Sequence, residues 1–246
     1  MALDDAFIRR VELPSLPDGD ARAGYPWDLP VVEALNGGLA LHPRVTYFVG
    51  ENGAGKSTLV EAIAVAAGMN PEGGSRNFAH STRDSHSPLA EALRLVRGIR
   101  RPRTDWFLRA ESIFTAATYM EELPDDALAA YGGRSLHEQS HGESFLAIVV
   151  NRFGPDGLCV LDEPEAALST QNCLTLVRRI HELTAAGSQF VVATHSPIVL
   201  AYPDALIYEC SADGLDEIRY EAATPVRLTR AFLDSPERFL RDLLRE

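Results

Sequence analysis

One stretch limits the possible folds more than any other. Val45-Thr46-Tyr47-Phe48-Val49 is short, β-branched and aromatic, the profile of a buried strand. Gly50-Glu51-Asn52-Gly53-Ala54-Gly55 follows, with three glycines that tolerate positive φ and let backbone come close to a ligand. From Lys56 onward, Leu59 to Ala67 reads as a helix that ends at Gly68. A strand, a glycine loop and a helix N-terminus in that order aim free N–H groups and the positive end of a helix dipole at one point. Such a unit belongs to an α/β layer and suits an anion.

Lys56 is the only lysine of the chain, against 22 arginines. Cationic needs elsewhere are met by guanidinium, so the retained ammonium marks a special demand. A compact ammonium fits between phosphate oxygens inside a ring of amides, where a planar guanidinium is too wide. The segment spells G-x-x-x-x-G-K-[ST], a phosphate loop. Gly50, Glu51, Asn52, Gly53, Ala54, Gly55, Lys56, Ser57 and Thr58 are therefore candidate phosphate ligands, with the Ser57 hydroxyl placed for Mg2+.

The length of 246 residues suits one large α/β domain, or one core with a small inserted lobe. No apolar run reaches the length of a membrane span. The acidic Met1-Ala2-Leu3-Asp4-Asp5 start lacks a secretory leader pattern, and Cys159, Cys173 and Cys210 are odd in number and scattered. A cytoplasmic protein with reduced thiols is expected. Net charge is −12, which argues against broad coating of nucleic acid. One basic stretch stands out, with Arg94, Arg97, Arg100, Arg101 and Arg103 as its densest part.

Along the chain, Ala6 to Leu13 reads as a first strand within an N-terminal antiparallel β element, and Leu29 to Leu35 as a strand or helical turn. Residues 69–88 read as a loop, 88–97 as a helix, Thr104 to Ser112 as a strand, and 113–130 as a helix. Residues 69–135 are thus expected to form an inserted, mainly helical lobe in a single domain whose core is 1–68 and 136–246. The second half alternates. Ser144 to Phe153 reads as a helix apolar all round, 158–161 as a strand, Ser169 to Ala186 as a helix and Gln189 to Thr194 as a strand. A hairpin about Ala212-Asp213-Gly214 and a last helix from Ser235 complete it. The alternation predicts a mostly parallel central sheet covered by helices on both faces.

Chemistry gathers at strand ends. Leu158-Cys159-Val160-Leu161 runs into Asp162-Glu163-Pro164-Glu165, which places acids at the ligand edge of a parallel sheet. Asp162 would hold Mg2+, and Glu163 would orient and deprotonate an attacking water. Alone, such a pair is equally an acidic loop after a core strand; downstream of a phosphate loop it reads as a site. His195, just past the strand ending at Thr194, can donate to a γ-phosphate.

These segments resemble, in order, the Walker A, Walker B and switch-histidine motifs of the ABC-type P-loop ATPases, a class that includes transporter ATPases, SMC proteins and double-strand-break repair ATPases. The family's Leu-Ser-Gly-Gly-Gln signature corresponds to Gln139-Ser140-His141-Gly142-Glu143, which keeps the Ser and the second Gly. The resemblance implies ATP and Mg2+ as ligands, and an ATP-dependent homodimer in which Ser140 and Gly142 reach the partner's nucleotide. Ala166-Ala167-Leu168-Ser169 would be the loop crossing that interface. The glutamine that the family carries in its lobe has no counterpart between Thr58 and Gln139; Arg109 or Glu111 is the substitute, or the segment is a plain strand with outward charges. Within the class, the compact pattern resembles stand-alone soluble bacterial ATPases.

Three outputs compete. The first is a soluble switch in DNA repair or phage defence, acting on a partner nuclease or on nucleic acid through Arg97, Arg100, Arg101 and Arg103. The second is the energising subunit of an ABC transporter, docked on a membrane subunit. The third is a nucleotide-gated scaffold that does not hydrolyse. The arginine cluster is equally read as a solvated face, and Tyr25 or Trp27 as an adenine-stacking or a packing aromatic.

Overall fold

The computed structural model describes residues 5–17, 19, 22, 24–74, 87–110 and 140–244. Nine strands form two sheets among them. β1 (Ile8–Glu12), β2 (Leu39–Ala40) and β4 (Arg94–Arg97) make an antiparallel sheet in the order β2-β1-β4. β3 (Val45–Gly50), β5 (Thr104–Arg109), β6 (Gly157–Asp162), β7 (Gln189–Ala193), β8 (Leu206–Ser211) and β9 (Gly214–Ile218) make the second, in the order β5-β6-β7-β3-β8-β9. The first five of these run parallel, and only β9 is antiparallel to its neighbour β8.

Alternation along the central strands supplies two cores. Val45, Tyr47 and Val49 of β3, Phe190 and Val192 of β7, and Cys159 and Leu161 of β6 face one side. There they meet α4 (His141–Arg152) and α5 (Thr170–Ala185) through Phe145, Ile148, Leu176 and Ile180. Phe48, Val191, Leu158 and Val160 face the other side, toward α1 (Pro30–Glu33), α2 (Lys56–Ala67), α3 (Leu89–Ala92) and the antiparallel sheet. Apolar residues on both faces are what a strand buried between two layers requires. Two helices close the chain, α6 (Thr224–Asp234) and α7 (Pro236–Leu243), with Phe232 and Phe239 in edge-to-face contact between them.

Gln189 joins the sheets. Its amide is 1% exposed and fully used: Oε1 accepts from the N–H groups of Phe7 and Ile8, each at 3.0 Å, and Nε2 donates to the carbonyls of Ile8 and His42 at 2.8 and 2.9 Å.

Four expectations need correction. The helix expected over 88–97 stops at Ala92, and Arg94–Arg97 is strand β4 paired with β1. The apolar spacing through Leu93 is compatible with a helix, but pairing to β1 decides the outcome. Second, the block 69–135 is not a separate lobe over its described part, because β4 and β5 belong to the two core sheets. The expected helix over 113–130 and the end of the 104–112 strand lie outside the described residues. Third, α4 is not buried all round: Phe145, Ile148 and Val149 are buried, whereas Val150 is half exposed. Fourth, a helix not anticipated, α6, precedes the last one. No described helix is long and apolar enough to cross a membrane.

Candidate functional site

The loop between β3 and α2 forms as its residue types require. Gly55 has φ +87°, and a Cβ there would lie 2.6 Å from Val31 Cγ2, so both the backbone and the approach of α1 demand glycine. No side chain caps α2, which leaves its first N–H groups for the loop's own use. Lys56 is almost fully buried, and its ammonium donates to the Glu51 carbonyl at 2.9 Å. Burial lowers the lysine pKa below its ordinary value, opposed by the fields of Glu163, Cys210, Asp162 and Glu165. An anion at the loop would favour the ammonium in the same way.

The carboxylates of β6 arrive beside this loop. β7 lies between β3 and β6, so Asp162 comes from a strand once removed. The Ser57 hydroxyl donates to Asp162 Oδ1 at 2.9 Å. A hydroxyl and a carboxylate oxygen side by side are hard donors, the type that Mg2+ takes.

Glu163 adopts φ 48°, ψ 52°, a left-handed conformation uncommon for a residue with a side chain. Its N–H donates to the Ala193 carbonyl of β7 at 2.9 Å. This turn brings Glu163 Oε1 to 3.2 Å from His195 Nε2, with both side chains about one-third exposed. Glu165 secures the histidine from below: Thr194 Oγ1 donates to Oε2 at 2.8 Å, and the His195 N–H donates to Oε1. Nothing in the residue pattern pointed to Glu165 as the group that holds the histidine turn, because the contact spans two strands.

Arg109 ends β5, opposite Asp162 in the register of β5 and β6. Its Nε lies 3.3 Å from Asp162 Oδ2, and Nη1 donates to Glu61 Oε2 of α2 at 2.7 Å. One of the two candidate substitutes for a lobe glutamine, Arg109, thus sits on the carboxylate itself. Glu111, the other candidate, lies outside the described residues, as does Gln139.

Ser140 caps α4 in a capping box. Glu143 Oε2 accepts from the Ser140 N–H at 2.9 Å and from its hydroxyl at 2.8 Å, and Ser140 Oγ accepts from the Glu143 N–H at 3.4 Å. Gly142 is buried, and a Cβ there would lie 2.8 Å from the Ala167 carbonyl, so the signature turn packs on the Ala166–Ser169 turn of its own chain. Of the aromatics, Tyr25 is exposed with its hydroxyl 3.1 Å from Thr58 Oγ1, whereas Trp27 packs against the core. A cleft of about 500 Å3 flanks the loop, lined by Gly50 to Ala54 and by Glu209, Cys210 and Thr224. Burial pushes the Cys210 thiol up to about 12, so it is an inert wall rather than a nucleophile.

The arginine cluster lies elsewhere. It precedes the N-terminal end of β5, roughly 17 Å along the strand from Arg109 at about 3.3 Å per residue. Arg100 pairs with Asp156 and stacks on Phe7, Arg94 pairs with Glu12, and Arg97 reaches the Ala67 carbonyl at 3.5 Å. Arg103 also reaches Asp156, at 3.5 Å, while staying largely exposed, and Arg101 donates to the Gly98 carbonyl at 2.9 Å.

Residues 36–95 match the family model of the AAA domain. The chain is 26% identical over 175 residues to the ABC multidrug transporter I of Aspergillus fumigatus, a match covering 63% of this chain and 12% of that protein. The chain thus corresponds to about an eighth of that transporter. Among solved structures, the SMC head domain from Thermotoga maritima shares 18% identity, with a TM-score of 0.42, over 74% of this chain and 93% of that one. The cbiO1 protein from Clostridium perfringens, part of an ABC transporter complex, shares 18% with a TM-score of 0.45, over 81% and 87%.

Proposed function

We propose that this chain, a P-loop ATPase of the ABC type by its loop and its sheet, binds ATP with Mg2+ and hydrolyses it. The carrying observation is the meeting of Glu163 with His195 at 3.2 Å beside the linked pair Ser57 and Asp162. The amides of Gly50 to Thr58 and the Lys56 ammonium take the β- and γ-phosphates. Lys56 exchanges its bond to the Glu51 carbonyl for phosphate oxygens. Ser57 and Asp162 would hold Mg2+, which when bound supplies positive charge to the phosphate oxygens. Glu163 takes a proton from the attacking water, and His195 donates to the γ-phosphate as ADP departs. A scaffold that never hydrolyses would have no use for the strained Glu163 turn that meets His195.

ATP favours a homodimer in which Ser140 and Gly142 of one copy close the other copy's site. Only the closed state gains those contacts, and hydrolysis removes them. The output is that of a soluble switch in DNA repair or phage defence, working through a partner protein or nucleic acid. The transporter reading draws on the match to a multidrug transporter, which covers only a fraction of that protein.

Glu163→Gln tests the proposal. The amide keeps the shape but cannot accept the proton, so ATP binding should persist while turnover falls by about 10²–10⁴-fold. Turnover close to wild type would remove Glu163 from the role of base.

A further inference from the structure

We infer that Arg109 is a built-in counter-cation of the metal site, which holds Asp162 against Mg2+ until nucleotide phosphates arrive. The inference rests on reading Ser57 and Asp162 as the metal ligands. The two oxygens of Asp162 have different partners: Oδ1 accepts from the Ser57 hydroxyl at 2.9 Å, and Oδ2 faces Arg109 Nε at 3.3 Å. A metal on Ser57 and Oδ1 and a guanidinium on Oδ2 are two cations sharing one carboxylate, and each weakens the other's hold.

Arg109 cannot simply swing into water. It is fixed through three elements: its own strand β5, Glu61 of α2 at 2.7 Å, and Asp162 of β6. Its guanidinium also lies over the Phe107 ring, 5.8 Å from the centroid. The pair is well shielded from solvent, with Asp162 6% and Arg109 25% exposed, so its charges are little screened. Glu61 shares the guanidinium and so moderates its pull on Asp162. Lys56 precedes Ser57 in the loop and is a further cation of the same site. The protein alone therefore offers a metal two nearby cations and one shared carboxylate. Triphosphate oxygens reverse that balance. Metal and nucleotide binding become coupled, and by linkage each raises the affinity of the other by one common factor.

The test is a titration with Mn2+, read as free Mn2+ by electron paramagnetic resonance, which needs no turnover. Wild type and Arg109→Gln are compared with and without a non-hydrolysable ATP analogue. Without nucleotide, Arg109→Gln should bind Mn2+ about 5–150-fold more tightly, the usual range of such couplings, and the gain conferred by the analogue should shrink. Unchanged or weaker Mn2+ binding in an Arg109→Gln protein that melts like wild type would overturn the inference, leaving Arg109 as a positioning residue for Asp162. Glu61→Gln carries the test if Arg109→Gln fails to fold. It releases the guanidinium toward Asp162 and should weaken Mn2+ binding, whereas unchanged or tighter binding would overturn the proposal. If wild type binds no Mn2+ even with the analogue, Ser57 and Asp162 are not a metal site, and the inference falls with that reading.

Discussion

Tyr47, on the central strand β3, carries its hydroxyl into the core that the sheet shares with α4 and α5, where it is fully buried and has no hydrogen-bond partner among the described residues. Burial drives its pKa far above the ordinary phenol value. A buried hydroxyl left unpaired costs about 1–3 kcal/mol. Tyr47→Phe should therefore be at least as stable as wild type in urea denaturation, and a lower midpoint would reveal a partner for the hydroxyl. The residues of the site were legible for a simpler reason. Asp162, Glu163 and His195 lie at or just past the ends of apolar strands, and Lys56 opens the helix after one glycine loop, so position in sequence gives position at the sheet's end. The left-handed turn at Glu163 was not legible, since glutamate has no preference for it. Neither was the pair Arg109 and Asp162, which exists only because β5 and β6 align in one register.

Among elements, β7 links the two sheets. Gln189 at its start satisfies two N–H groups and two carbonyls of the segments that carry β1 and lead into β3. Gln189→Leu would orphan all of them, at about 1–3 kcal/mol for each group that water cannot reach. The urea midpoint should drop clearly, while nucleotide affinity, measured under folding conditions, stays near wild type. An unchanged midpoint would mean that the antiparallel sheet is held by its side chains alone. A glutamine before an apolar run carries no hint of this work, because its partners are distant in sequence. The misread of Arg94–Arg97 has the same origin: four residues with mixed spacing take their structure from the neighbouring strand.

Over the whole molecule, alternation in the second half made the parallel sheet readable, whereas β4 and β5 in the middle of the chain were not, because they pair with strands distant in sequence. Two predictions belong here. Glu143→Gln retains the capping box with Ser140 but removes a negative charge from the helix end that, in the proposed dimer, would meet a partner's phosphates. Loss of the charge at the helix N-terminus should cost about 0.3–1 kcal/mol. In a Glu163→Gln background it should nonetheless strengthen ATP-driven dimerisation in light scattering. A monomer at saturating ATP and Mg2+ would end the shared-site reading. The second concerns the basic stretch. With Arg100 committed to Asp156 and Phe7, Arg101 and Arg103 are the better probes. If nucleic acid binds there, its salt dependence should have a slope of roughly 0.9 per neutralised phosphate, and Arg101→Ala with Arg103→Ala should flatten it without changing ATP affinity. Absence of binding at low salt would leave the stretch as a solvated face.

Among the described residues, β5 and β9 form the two rims of the large sheet. An unpaired strand edge invites another chain to add on, and folded proteins guard against this with charges and interruptions. β9, at one rim, is five residues long and carries the exposed acids Asp216 and Glu217. At the other rim, Gly74 engages both the N–H and the carbonyl of Phe107, breaking the open row of β5 at its centre. Both margins thus resist aggregation by sheet growth.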